Sequence, residues 1–287
     1  MRLGFGIDPR QDLAEADELR LVRLGRDLGY ESAWTPSGPD GAAFERCVRW
    51  HGESGLPTGI SVVPAAGRPP AFYAGHARRA WEGTGGGFVL GVGSGGLQHA
   101  AAQMREYLAE LRPLLPAGLP LYVAALGPLM LRVAAELGDG VLLNWCSAPQ
   151  VAWSRGVIER AAAAAGRPVP VVASYIRTAV DPDPALARRT LAQAALQYAA
   201  GPVAYRRHFE RMGVAAEVAR LQANPDAQPG PELLATAGAA GAPGEVRPQL
   251  GQLAQGLDVA IVRVLVTRPG DAASAQRVLE ECRPDPA

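Results

Sequence analysis

The side chains able to do chemistry in this 287-residue chain are few, and their spacing narrows what they can do. There are four histidines and three cysteines. His51 and His76 fall on segments with outer-helix character and read as surface or interface groups. His99 stands just behind a glycine-rich loop, within reach of anything bound there. His208 lies in Tyr205-Arg206-Arg207-His208-Phe209 and is expected on a charged, solvated helix face, with a lid role as the alternative. No two histidines share metal-ligand spacing, so no metal is expected. Cys47, Cys146 and Cys282 form no C-x-x-C or C-x-x-H pair and read as reduced, partly buried thiols. Among polar residues at predicted strand ends, Asp8 either orients a substrate hydroxyl or caps an Asp-Pro turn. Asn144 and Trp145 end the sixth strand, as ligand contacts or as packed turn residues. Tyr175 and Arg177 end the seventh, where Arg177 suits an anionic substrate or a cofactor tail. Asp8, His99 and Asn144 are the catalytic candidates.

The richest stretch carries main-chain rather than side-chain chemistry: Gly85-Gly86-Gly87-Phe88-Val89-Leu90-Gly91-Val92-Gly93-Ser94-Gly95-Gly96. Glycines after a buried strand let the backbone approach a ligand, and a helix N-terminus behind them offers unpaired N–H groups to a phosphate. Gly91 to Gly96 spells G-x-G-x-x-G, but three βα units precede it. The next strand ends in Ala125-Leu126-Gly127-Pro128 with no acid for a ribose, which argues against NAD. A glycine turn with no ligand is the bland alternative. Against it, Ala124–Pro128 also ends a strand and opens a helix, with Pro128 suited to the first helical position. Two adjacent strands thus aim amides at one point.

All 28 basic residues are arginine. The absence of lysine excludes Schiff-base aldolases, pyridoxal-phosphate enzymes and P-loop NTPases. A net charge of zero gives no electrostatic case for nucleic acid or an anionic membrane surface. No apolar run is long enough to cross a bilayer, and the N-terminal stretch is interrupted too early by Asp8-Pro9 for a signal peptide. The default expectation is a cytoplasmic protein with a small-molecule substrate.

Behind these residues the chain alternates buried apolar runs with helical periodicity. Strands are expected at 2–7, 31–35, 58–63, 87–92, 119–124, 139–144, 169–175 and 258–267. Helices are expected at 13–28, 42–53, 70–81, 97–115, 129–137, 150–165, 243–255 and 272–282. Three further helices, 184–199, 203–212 and 214–221, break the rhythm, followed by a polar linker over 224–231. Eight βα repeats in one domain, 1–287, predict an α/β fold, a closed (β/α)₈ TIM barrel with a helical insertion after strand 7 at about 181–231. A doubly wound open sheet is the runner-up.

Three blocks then resemble the luciferase-like flavin- and deazaflavin-dependent oxidoreductases. Gly85 to Gly95 resembles S-G-G-R-F-x-L-G-[VL]-G-x-G. Leu119–Pro128 with Ala134–Trp145 resembles P-[VI]-Y-[VL]-A-A-x-G-P…A-x-x-x-x-D-G, and is closest to members that use coenzyme F420. Leu24–Trp34 matches E-x-L-G-[FY]-D-S-x-W, and Ala242–Val246 resembles G-[TS]-P-E-[ED]-V. The resemblance covers essentially the whole chain. It implies a barrel, usually a homodimer, with F420 or alternatively FMN at the C-terminal ends of the strands and hydride transfer at C5 or N5 of the cofactor. It places the phosphate near Gly93, Ser94, Gly95, Leu126 and Gly127, and a non-proline cis peptide at Ser61-Val62. The cofactor-binding set is accordingly Ser61, Val62, Gly91, Gly93, Ser94, Gly95, Ala125, Leu126, Gly127 and Arg177.

The chain departs from the family pattern in three places. Gly85-Gly86-Gly87 lacks the arginine. Thr35-Pro36-Ser37-Gly38 lacks the acid and histidines that many deazaflavin-dependent members carry after the second strand. The segment from Gly95 to Gly118 is short. A non-redox relative, such as a biosynthetic cyclase or isomerase, therefore stays open as an alternative.

Overall fold

A computed structural model describes residues 1–224 and 227–285. Its frame is a ring of parallel strands: β1 (Arg2–Gly6), β2 (Ala33–Thr35), β3 (Thr58–Pro64), β4 (Phe88–Gly93), β5 (Leu121–Ala124), β6 (Gly140–Asn144) and β7 (Val171–Val180). A short strand β8 (Gly238–Gly241) precedes β9 (Val259–Val264). Hydrogen bonding runs β1 through β7 in order, then β7 to β9 and β9 back to β1, which closes an eight-stranded barrel. β8 lies outside that ring and pairs only with the far half of β7, Arg177 to Val180. The strands are buried on both faces, so they read as the near-continuous apolar runs of a parallel sheet.

The helices α1 (Glu15–Asp27), α2 (Ala42–Ser54), α3 (Pro70–Gly83), α4 (Ala100–Leu111), α5 (Pro128–Leu137) and α6 (Ala148–Ala164) follow the first six strands. Proline at the first turn starts α3, α5 and α6, where its missing N–H costs nothing. Gly55, at φ 72°, ends α2 in the left-handed conformation that glycine adopts without strain. After β7 come α7 (Pro184–Ala199), α8 (Val203–Arg211), α9 (Ala215–Ala223) and α10 (Pro231–Ala237), then α11 (Val246–Leu253) and α12 (Ala272–Glu281).

Three buried clusters hold the parts together. The largest fills the space between barrel and outer helices. A second, with Leu191, Ala195, Phe209, Leu221 and Leu233, anchors the inserted helices to Trp145 at the end of β6. The third fills the barrel with Trp34, Tyr122, Leu142, Tyr175 and Ile261.

The expected elements are present, with boundaries a few residues different. Two differences matter. β7 runs on to Val180 rather than stopping at Tyr175, so Arg177 sits within the strand. The barrel's last strand is the ninth in the chain, because Gly-Ala-Ala-Gly forms β8 without a bulky side chain to mark it. Residues 225 and 226 of the expected linker lie outside the described residues.

Candidate active site at the barrel mouth

The C-terminal ends of β3, β4 and β5 bring together backbone and small side chains. β3 holds a cis peptide at Ser61-Val62, as the resemblance implies, and its register against β4 shifts between Ile60 and Val63. Val62 packs on the glycines of β4. A Cβ at Gly91 would stand 2.2 Å from the Ile60 carbonyl oxygen and 2.7 Å from Leu142 Cδ1; one at Gly93 would stand 2.7 Å from Val62 Cγ2. These two glycines are therefore required by close approach. Ser94 is half-buried, while Gly95 and Gly96 turn outward at φ 62° and 95°.

Just after β5, Ala125 is buried and spends its amide on the Leu142 carbonyl at 3.1 Å. Gly127 is the N-cap of α5; no side chain caps it and no acid lies in the first turn. A Cβ at Gly127 would meet nothing within 4 Å. The N-terminus of α5 thus has unpaired amides, positive partial charge and open space in front of it. Arg211 from α8 adds a cation, its Nη2 donating to the Leu126 carbonyl at 2.8 Å. That combination fits the phosphate of a flavin-type cofactor.

The ends of β6, β7, β9 and β1 differ in kind. Asp8, just after β1, is 8% exposed. Its carboxylate accepts from the Arg10 amide at 2.9 Å, from Arg10 Nη2 at 2.8 Å and from Arg263. Burial raises its pKa, but the Arg263 and Arg10 guanidiniums outweigh that and hold it at about 2. Arg263 on β9 is in register with Arg177 on β7. Arg177 Nη1 donates to Asn144 Oδ1 at 2.5 Å, and Asn144 Nδ2 donates to the Tyr205 hydroxyl at 2.8 Å. The Arg177 guanidinium lies 3.8 Å from the Trp145 ring centre and 4.7 Å from that of Tyr198. Such stacking suits the weakly hydrated plane of arginine.

Two of these groups come from the insertion. Tyr198 on α7 and Tyr205 on α8 pack edge to face, 4.9 Å between ring centres. Burial raises the pKa of both. For Tyr205 it prevails, to about 12; for Tyr198, Arg177, Arg263 and Arg10 reverse it and the pKa falls below the ordinary phenol value. Of the two tyrosines, Tyr198 is the one whose ionised form the neighbouring guanidiniums favour.

His208 is not on a solvated face. α8 turns it inward, where it is fully buried, with Nε2 2.7 Å from the Trp145 carbonyl and 3.7 Å from Cys146 Sγ. Burial lowers the imidazole to about 4 and raises the Cys146 thiol to about 12. Both are neutral near pH 7, so the pair has structural rather than nucleophilic chemistry.

The fold therefore brings Asp8, Asn144 and Arg177 into one cluster, and Ser61, Val62, Gly91, Gly93, Ser94, Gly95, Ala125, Leu126 and Gly127 into the facing one. His99 is exposed at φ 49° as the N-cap of α4; its carbonyl accepts from the Ala102 amide, and its imidazole has no hydrogen-bonded partner among the described residues. Arg263, Tyr198, Tyr205 and Arg211 belong to the mouth and were not among the sequence candidates. A lone arginine in the apolar run Val259-Ala260-Ile261-Val262-Arg263-Val264 is the signal that could have found the first. A surface groove of about 400 Å³ between α2 and α3, lined by Phe44, Glu45, His76 and Arg79, lies on the outer helices away from this chemistry.

The model of the family described as luciferase-like monooxygenase matches residues 105–258. Among solved structures, the chain is similar to a coenzyme F420 dependent tetrahydromethanopterin reductase from Methanopyrus kandleri, at 18% identity over 98% of each chain and a TM-score of 0.71. It is also similar to an F420-dependent secondary alcohol dehydrogenase in complex with an F420-acetone adduct, at 15% identity over 98% of this chain and 97% of that one, TM-score 0.76. A third is the oxygenating constituent of 3,6-diketocamphane monooxygenase from Pseudomonas putida in complex with FMN, at 14% identity over 99% of each chain, TM-score 0.65. At these identities the likeness is one of fold.

Proposed function

The chain belongs to the luciferase-like monooxygenase family, and from that premise we propose that it is an oxidoreductase using F420, or alternatively FMN, to transfer a hydride to or from a small organic substrate. The observation that carries this reading is the uncapped, open N-terminus of α5 at Gly127, beside the Ser94–Gly96 turn and Arg211. Gly93, Ser94, Gly95, Leu126, Gly127 and Arg211 would hold the cofactor's phosphate, with Val62 and Gly91 forming the floor beneath its ring. The bound cofactor supplies the hydride chemistry. The protein's part is to orient the partners and exclude water, the latter through the Tyr198 ring over Arg177 and the Tyr205 ring packed against it. Asp8 stays ionised and holds Arg263 and Arg10 in place. Tyr198 is the residue assigned to proton exchange with the substrate, the role left open by Thr35-Pro36-Ser37-Gly38.

Titration with F420, followed by quenching of deazaflavin fluorescence, and with FMN, followed by flavin fluorescence, tests the proposal. Saturable binding of one at micromolar or tighter affinity is expected. Binding of neither sinks it. One observation favours the non-redox alternative: the imidazole packed against Trp145 at the end of β6, His208, is buried and held neutral. Cofactor binding with no hydride exchange over a substrate panel would favour that reading.

A further inference from the structure

The cluster on β1, β7 and β9 carries more positive charge than its own residues balance. Three arginines, Arg10, Arg177 and Arg263, come with one carboxylate, Asp8, which is already shared between Arg10 and Arg263. Arg177 and Arg263 are 4% and 3% exposed. The polar partner of Arg177 is a neutral amide, Asn144. Arg263 Nη1 is buried with no hydrogen-bond partner among the described residues, and so is the hydroxyl of Tyr175, whose ring centre lies 5.1 Å from the Arg263 guanidinium carbon. A buried guanidinium N–H without an acceptor is costly and rare in a folded protein. An anion would satisfy Arg263 Nη1 and balance the second buried cation.

We propose that this cluster is the subsite for a carboxylate on the substrate, so that the substrates are small organic acids. A guanidinium presents paired N–H donors matched to the two oxygens of a carboxylate. The cluster opens to solvent at Arg10, whose side chain is 70% exposed. In ring order β9 is the eighth strand and β4 the fourth, so Arg263 stands across the barrel from Gly93. A phosphate held at Gly93–Gly127 and a carboxylate held at Arg263 would lie on opposite sides of the mouth, with the reacting atoms between. The assignment of the anion to substrate rather than cofactor rests on the proposed cofactor reading.

The test is calorimetric titration of the wild-type protein, without cofactor, with acids and their matched amides: benzoate against benzamide and succinate against succinamide. At least one acid is expected to saturate, with an affinity about tenfold or more above its amide. Arg263→Gln should remove that advantage, Arg263→Lys should restore part of it, and the affinity for F420 or FMN should not change in either variant. The acid–amide comparison needs no variant, so it stands even where Arg263→Gln does not fold. Acids and amides that bind alike, or no acid that saturates, overturn the subsite. Loss of F420 or FMN affinity in Arg263→Gln also overturns it, because the anion then belongs to the cofactor. Selective acid binding with neither cofactor bound leaves the subsite standing and removes the cofactor reading.

Discussion

The two halves of the barrel mouth are built on opposite principles. Around β3, β4 and β5 the binding groups are amides, made available by glycine, and no charged side chain projects from the strand ends themselves. Around β6, β7, β9 and β1 they are side chains: two buried arginines, a held carboxylate and an amide. Main-chain donors are fixed by the fold and cannot titrate; side-chain ions depend on one another for charge balance. Under the proposed function, the first half would take the cofactor's ring and phosphate, and the second would discriminate between substrates. The insertion touches both, since α8 sends Tyr205 to Asn144 and Arg211 to Leu126.

If the charged half depends on mutual balance, the largest effect should come from removing its one carboxylate. Asp8→Asn leaves Arg263 buried without its countercharge and should lower unfolding stability by about 3–5 kcal/mol. Urea denaturation at pH 7 measures it. A loss below about 1 kcal/mol would mean that Arg263 is effectively solvated. In the wild type the folded-state pKa of Asp8 is depressed, so its stabilisation is present above the ordinary aspartate value of 3.8 and is lost as pH falls toward about 2. Asp8→Asn should remove that acid limb.

His208 provides the next largest effect, in a different pH window. The unfolded chain takes up this proton near 6.5 and the folded chain only near 4. The unfolded state therefore binds more protons between those values, and stability should fall as pH drops from 6.5 to 4. The full effect is about 3 kcal/mol. His208→Gln retains a donor for the Trp145 carbonyl and should flatten the profile over that window. If wild type and variant keep parallel profiles between pH 4 and 7, α8 does not hold a neutral imidazole against β6.

The same contrast explains which parts of the molecule the sequence disclosed. The barrel was legible because buried parallel strands are apolar runs and because glycine and proline mark their ends. The amide half, proposed as the cofactor cradle, could be marked for the same reason, through Gly91, Gly93, Gly127 and Pro128. Of the charged half, Asp8, Asn144 and Arg177 stand near strand ends and could be proposed one by one. Their network could not, because Arg263 is 86 positions from Arg177, and Tyr198 and Tyr205 arrive on inserted helices. His208 was misread because its arginine neighbours dominate the local composition. Helical spacing instead groups it with Tyr205, Phe209 and Met212, the face that packs on Trp145 and the insertion's core. β8 was missed because a run of glycine and alanine has no hydrophobic period.

The amide half can be separated into scaffold and cradle with two glycines, and here the expected stability effects are smallest. Gly91→Ala places a Cβ against the Ile60 carbonyl and Leu142, both rigid parts of the barrel. It should cost about 1–3 kcal/mol of stability, as overpacked cores do. Gly127→Ala places its Cβ in open space at a backbone φ of −115° that alanine tolerates. It should cost about 0.5–1 kcal/mol, the penalty of alanine at an N-cap. For cofactor binding the order should reverse: in protein that remains folded, Gly127→Ala should weaken F420 or FMN more than Gly91→Ala, because the space it fills is where the phosphate is proposed to sit. Equal cofactor affinity in Gly127→Ala and wild type would show that the space before α5 is not the cradle. The glycines of β4 would then be required by the barrel's own packing alone.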